Sequence, residues 1–195
     1  MCNSRYIKTR HQLLEKCLAY FLRHGLANLS LRPLAAAVGT SARMLLHYFG
    51  SKEALIAEVM EQVQARLQTA FQDLAANHRV ANRENLLRDF WDVLSAKPNQ
   101  PALRLLFEVQ MLALQNPKRY RHYLTRTSAS WREFIERALP SRQKNGVSAT
   151  LYTAVIDGLL LELLSTGDLR RTSRALNLFA DHCQPNPRPR KAKRQ

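Results

Sequence analysis

The sequence predicts an all-α chain, and three observations carry that expectation. Leu, Ala, Arg, Gln and Glu, all good helix formers, dominate the composition. Alternation of β-branched residues, the period-2 mark of a half-buried strand, is nearly absent. The six Gly and eight Pro mostly fall at the ends of apolar runs spaced by three and four residues, where helices stop and start. At 46% hydrophobic residues in 195, the chain can bury a real core.

Each element has its own signal. After a flexible stretch at 1–7, a first helix is expected over 8–24, with Leu13, Leu14, Cys17, Leu18, Phe21 and Leu22 on one buried stripe. Gly25 after His24 stops it. Ser30 is placed as N-cap of a short second helix, and Pro33 is tolerated there because early helical N–H groups lack partners. Leu31, Leu34, Ala35 and Val38 share a face, and Gly39 ends the helix. Thr40 or Ser41 caps a third helix running to Phe49, which Gly50 closes.

Ser51 as N-cap and Glu53 in the first turn open a long fourth helix, apolar at Leu55, Val59, Val63, Leu67, Phe71 and Leu74, ending near Asn77. Further helices are expected at about 82–95, 101–115, 117–138, 147–166 and 171–183. Their boundaries are Lys97-Pro98, Asn116-Pro117, Pro140-Ser141 with Asn145-Gly146, and Gly167-Asp168. Residues 184–195 are Pro-rich and basic without apolar periodicity, and read as a disordered tail.

The net charge of +15 favours a polyanionic partner, and its distribution sharpens that. Residues 1–52 hold eight Lys/Arg against Glu15 alone, whereas 53–183 hold seventeen against fourteen acids and the tail adds five. The excess lies at the two ends of a near-neutral body.

The three cysteines are far apart and form no CxxC pair, so neither a zinc site nor a disulfide framework is indicated; Cys17 reads as core. The apolar run Leu159–Leu164 is interrupted by Glu162 and is too short to span a bilayer, and the N-terminus lacks a signal-peptide pattern. A cytoplasmic protein with no membrane partner is the expectation. No nucleophile elbow, P-loop, GxGxxG, HExxH or paired-carboxylate motif occurs, and His11, His24, His47, His78, His122 and His182 show no ligand spacing. No enzyme activity, cofactor or metal is expected.

The helices 8–24, 30–38 and 41–49 form a trio whose last two are short and joined by a turn holding Gly39. That is the helix-turn-helix arrangement, in which the third helix enters the major groove. Leu45, Tyr48 and Phe49 make its core stripe; Ala42, Arg43, Leu46 and His47 lie opposite and face the groove. Arg43 suits guanine O6 and N7, His47 a phosphate or base edge, and Leu46 a thymine methyl, while small Ala42 lets the helix settle. Thr40 and Ser41, with the free N–H groups of the helix start, suit a phosphate, and Lys52 a flanking one. Ser30 and Arg32, at the start of the bracing helix, complete the candidate DNA contacts.

The stretch "LSLRPLAAAVGTSARMLLHYFGSKEAL", Leu29 to Leu55, closely resembles the DNA-binding domain of TetR-type (tetracycline-repressor-like) transcriptional regulators. His47-Tyr48-Phe49 followed by Ser51-Lys52 is among the more specific shared signatures, and the resemblance covers about residues 8–60. Further on it rests on layout and on "LYTAVIDGLLLELLSTGD" (151–168), similar to the family's dimer-forming helix. One departure is Leu46, where the family usually has a Tyr whose hydroxyl meets a phosphate.

The resemblance implies a helix-turn-helix domain over 8–52, motif about 30–49, joined by a long helix to a helical effector-binding and dimerisation domain over 53–183. It implies a double-stranded DNA operator, a small-molecule effector and a homodimer as partners. Trp91, Phe107, Met111, Trp131, Phe134 and Tyr152 are pocket candidates, with Glu108, Gln110 or His122 as polar anchors. Plain core packing is the competing reading for those aromatics. Leu151, Val155, Gly158, Leu159 and Leu163 are candidates for the dimer face. The rival function is a basic helical small-molecule-binding protein, or an enzyme, without sequence-specific DNA binding.

Overall fold

The computed structural model describes residues 2–77, 86–139 and 143–183, which form helices and no strand. In chain order these are α1 Cys2–His24, α2 Leu31–Val38, α3 Ala42–Phe49, α4 Lys52–Asn77, α5 Leu86–Ser95, α6 Gln100–Gln115, α7 Pro117–Ala138, α8 Gly146–Thr166 and α9 Leu169–Cys183, with a 3₁₀ turn at Lys97–Asn99. The expected start of the fifth helix at 82 and the tail 184–195 fall outside the described residues.

Serine and asparagine oxygens set three of the starts. Ser41 Oγ accepts from Met44 N–H at 3.2 Å, Ser51 Oγ from Ala54 N–H at 3.0 Å, and Asn145 Oδ1 from Ser148 N–H at 2.9 Å. The cap of α3 is thus Ser41 rather than Thr40. Ser30 occupies the N-cap position of α2 with extended backbone, but its side chain makes no capping bond. Gly39 closes α2 at φ +77°, a left-handed turn that brings Thr40 N–H onto Ala35 O at 2.9 Å. Thr40 is therefore held by the end of α2.

α1 extends back through residues 2–7, ahead of the expected start at 8, and makes a tertiary contact there. The Tyr6 ring packs on Tyr48 with centroids 4.9 Å apart and edge-on to His47 at 6.1 Å. Sequence periodicity carries no sign of that contact, since among the described side chains of α1 the first buried apolar residue is Leu13.

The core runs without interruption from the N-terminal trio into the rest of the chain. Leu18, Phe21, Leu34 and Leu45 are fully buried between α1, α2 and α3. α4 carries burial onward through Leu55, Ile56, Val59, Met60, Val63, Leu67 and Phe71. Beyond it α5 to α9 close around Trp91, Leu105, Val109, Leu160 and Leu176. α4 is thus a shared wall of both halves, stabilised along its length by about 1.5–3 kcal/mol per buried large side chain. As a whole helix, α8 is long and apolar enough to cross a bilayer, which the short Leu159–Leu164 run did not suggest. It packs between α7 and α9 and gives Ala149, Tyr152, Ile156, Leu160 and Leu163 to the core.

Candidate nucleic-acid interface and ligand cavity

α3 presents one open face and one anchored face. Leu45 and Phe49 are buried and Tyr48 is half-buried, so these three seat the helix. Arg43, His47, Leu46 and the capping Ser41 are exposed, as are Ser30 and Arg32 at the start of α2. Two adjustments follow from the helix's rotation. Ala42 is half-buried against the core instead of facing outward, and Met44, absent from the expected set, is 38% exposed beside Leu46 at 42%. The open face therefore joins one guanidinium and one imidazole to two apolar side chains. Thr40 and Lys52 are half-buried at its two margins.

Arg10 fixes the pose of α3. Its Nε donates to Tyr48 O at 3.2 Å, and Nη2 donates to both carboxylate oxygens of Glu58 at 2.5 and 2.6 Å. The guanidinium carbon lies 5.1 Å from the Phe49 ring centroid. One side chain of α1 thereby ties the end of α3 to α4. The sequence counts Arg10 with the N-terminal excess charge, but the fold engages it internally. Arg66 of α4 does the same for Glu15 of α1.

The C-terminal body contains a cavity of about 420 Å³ between α5, α6, α7 and α8. Phe107 and Gln110 of α6 and Trp131 of α7 line it as expected. Phe90, Leu94, Leu103, Leu106, Tyr123, Ile135, Ile156 and Leu160 complete the apolar wall, and Arg132, Thr150, Thr153 and Asp157 are its polar members. The remaining pocket candidates do not line it. Trp91 is fully buried, with Nε1 donating to Ser173 Oγ at 2.8 Å. Phe134 sits behind the wall in an aromatic cluster, 5.4 Å from Phe71 and 5.8 Å from Trp131. Tyr152 is buried, its hydroxyl on Gln143 Oε1 at 2.8 Å. Met111 is 55% exposed, one helical step past the lining face of α6. The side chain of His122 lies outside the described residues.

Asp157, an exposed member of the lining, stands at the cavity's mouth. It keeps solvent access, yet the surrounding protein desolvates it enough to raise its pKa from the ordinary carboxylate range to about 6.

Glu108 has a different job from the anchor role expected of it. Its Oε2 accepts from Leu26 N–H at 2.6 Å, in the turn just after α1. A Cβ on Gly25, whose φ is +67°, would come within 2.8 Å of the same carboxylate. α6 thus lines the cavity with Phe107 and Gln110 and grips the N-terminal trio with Glu108.

The residues expected at a dimer face do not share one exposed side of α8. Leu151 is 51% exposed and Gly158 is open, but Val155 and Leu159 are half-buried and Leu163 is buried in the chain's own core. The exposed stripe of α8 is Val147, Leu151, Ala154, Gly158 and Leu161, spaced by four and three as on one helical face. A helix apolar almost all round offers no periodicity from which to choose the exposed side.

Residues 13–59 match the family model described as "Bacterial regulatory proteins, tetR family". The HTH-type transcriptional repressor Rv1474c of Mycobacterium tuberculosis is 25% identical over 177 residues, covering 87% of this chain and 89% of that protein. A transcriptional regulator from Rhodococcus sp. RHA1 has a similar fold, with a TM-score of 0.73 at 22% identity, covering 89% of this chain and 95% of that one. The multidrug binding protein EbrR, solved with imidazole, gives 0.71 at 22% identity and 93% of both chains. The matched segment contains the capped α2–α3 pair, the open face of α3 and the start of α4. Residues 13–59 thus carry a TetR-type DNA-binding domain, and along most of its length the chain is similar to transcriptional regulators.

Proposed function

We propose that the chain is a ligand-responsive repressor that binds a pseudo-palindromic operator as a homodimer. The observation that carries this is the open face of α3: Arg43, His47, Leu46 and Met44 stand exposed on a helix held from behind by Leu45, Phe49 and Arg10. Arg43 reads a guanine through O6 and N7, and Leu46 and Met44 meet thymine methyls. Ser41 with the α3 N-terminus, Thr40, Lys52, Ser30 and Arg32 hold phosphates, and His47 a phosphate or base edge. Ala42, half-buried, sets the depth of the helix.

The second copy packs against Val147, Leu151, Ala154, Gly158 and Leu161, where small residues let two helices approach closely. A two-fold axis there pairs two α3 helices on half-sites about one helical turn, ~34–36 Å, apart. The cavity takes the effector: its volume falls within the range of small-molecule sites, roughly 300–1,000 Å³. EbrR, with a similar fold, is a multidrug binding protein solved with imidazole. Repression is the direction taken by the relative from M. tuberculosis.

Selecting bound sequences from a random DNA library at two salt concentrations tests this reading. A palindrome should emerge, and Arg43→Ala should relax one base position in each half-site. No enriched motif, or selection unchanged by Arg43→Ala, would overturn it in favour of a basic helical binder that is indifferent to sequence.

A further inference from the structure

We infer that the cavity takes an organic cation, its positive group held by the Asp157 carboxylate and its apolar body by the aromatic wall. This rests on the cavity being the effector site. Asp157 makes no hydrogen bond or ion pair with any described residue, although it stands on a helix packed between α7 and α9. Its neighbours along the cavity, Thr150, Thr153 and Ala154, are short side chains that carry no charge. An exposed carboxylate on the lining of an otherwise largely apolar cavity, with no partner of its own, is free to pair with a charged guest.

The wall decides the sign of the partner. Phe90, Phe107, Tyr123 and Trp131 all face the space, with Phe90 and Trp131 edge-to-face at 6.1 Å. Aromatic faces are electron-rich and attract cations rather than anions. Arg132 is the one lining group of positive charge, and it is exposed and forms no ion pair with Asp157 within 4.0 Å. α5 and α6 contribute no titratable side chain to the lining; from α7 come Arg132 and Tyr123. Above pH 6 the Asp157 carboxylate is mostly ionised and can pair with a cation; below it the carboxyl is protonated and that attraction is lost.

The test uses the full chain and three probes of one shape class: benzyltrimethylammonium, its uncharged carbon isostere neopentylbenzene, and the anion 3-phenylpropionate. Binding is followed by calorimetry and by Trp fluorescence at pH 7.5 and pH 5. At pH 7.5 the cation should bind about tenfold more tightly than the isostere. That preference should disappear in Asp157→Asn and shrink at pH 5. Arg132→Met should strengthen cation binding a few-fold, which gives an answer even where Asp157→Asn folds poorly. A cation that binds no better than the isostere, an anion that binds best, or a cation preference untouched by Asp157→Asn would each overturn the inference. In those cases a Trp131-dependent signal from any probe keeps the cavity as a ligand site, and only its charge preference is refuted. If no probe binds, the effector-site reading is lost with it, while operator selection by Arg43 stands or falls on its own measurement.

Discussion

Substituting alanine for Gly25 probes the joint between the cavity helix and the DNA-binding head. Two costs arise, and they can be separated. At φ +67° an L-residue adopts the left-handed region at about 1–2 kcal/mol. The new Cβ would also come within 2.8 Å of the Glu108 carboxylate. That carboxylate is the end of a flexible side chain, so it yields by swinging away and gives up its bond to Leu26 N–H. A charge-assisted bond contributes about 1.5–3 kcal/mol when well shielded, and the lower end applies because Glu108 is exposed. The two together give about 2.5–3.5 kcal/mol, or roughly 5–14 °C in melting temperature for a chain of this size.

Gly39→Ala is the internal control. Its φ is +77° and a Cβ added there would meet nothing within 4 Å, so only the backbone cost of about 1–2 kcal/mol applies. Thermal unfolding followed by far-ultraviolet circular dichroism measures all of these. In a Glu108→Ala background the Gly25→Ala penalty should fall to the Gly39→Ala value. If Gly25→Ala costs no more than Gly39→Ala, or costs the same with and without Glu108, the joint does not exist as described.

Four other outcomes are expected. Arg43→Ala should cost roughly 1–3 kcal/mol in operator affinity by gel shift, with discrimination lost at one base position. Leu46→Ala should cost about 1 kcal/mol on a thymine-bearing operator and almost nothing on the same operator with uracil at that position, since uracil lacks only the methyl. Arg10→Met keeps the contact with Phe49 but breaks the tie to Glu58 and Tyr48 O; both partners are part-exposed, so a loss of about 1 kcal/mol by urea denaturation is expected, with weaker DNA binding. Because the Asp157 pKa is raised in the folded state, the fold favours the protonated form. Its penalty is absent only below the ordinary value of 3.8, grows between there and about 6, and is complete above, so Asp157→Asn should melt higher than the parent at pH 7.5 and about equally near pH 3.

Much of the architecture was legible because helix ends are written locally. Ser41, Ser51 and Asn145 announce starts through side-chain oxygens, and Gly25, Gly39 and Gly167 announce stops through left-handed backbone. Most of the open face of α3 was legible for a related reason: an eight-residue helix with one apolar stripe seats on that stripe, and only Ala42 and Met44 at its edges differ from expectation. What stayed hidden depended on partners distant in sequence. Tyr6 helps to order the first turns of α1 through Tyr48, more than forty residues away, and Arg10 looked like free charge until Glu58 met it. Trp91, Phe134 and Tyr152 were pocket candidates because large aromatics serve cores and cavities alike. Only the packing of α5, α7 and α8 separates Trp131 and Phe107, which face the space, from those behind them.

The same geometry says how a bound molecule can reach the DNA-binding head. Phe107 and Glu108 are consecutive on α6, so their side chains diverge by about a quarter turn, one into the cavity and the other onto Leu26 N–H. A ligand that displaces Phe107 therefore acts on a helix whose next residue holds the turn after α1, and α1 in turn holds α3 through Arg10. Displacement alone does not switch the protein. The ligand must bind one arrangement of α6 better than the other, and the coupling it can deliver is limited by that difference in affinity. Glu108→Gln provides the discriminating measurement, because it leaves an acceptor for Leu26 N–H but removes the charge. If α6 carries the signal, Glu108→Gln should leave operator affinity close to that of the parent and reduce the change in affinity on adding a cavity ligand. An undiminished response would place the route along α4 instead.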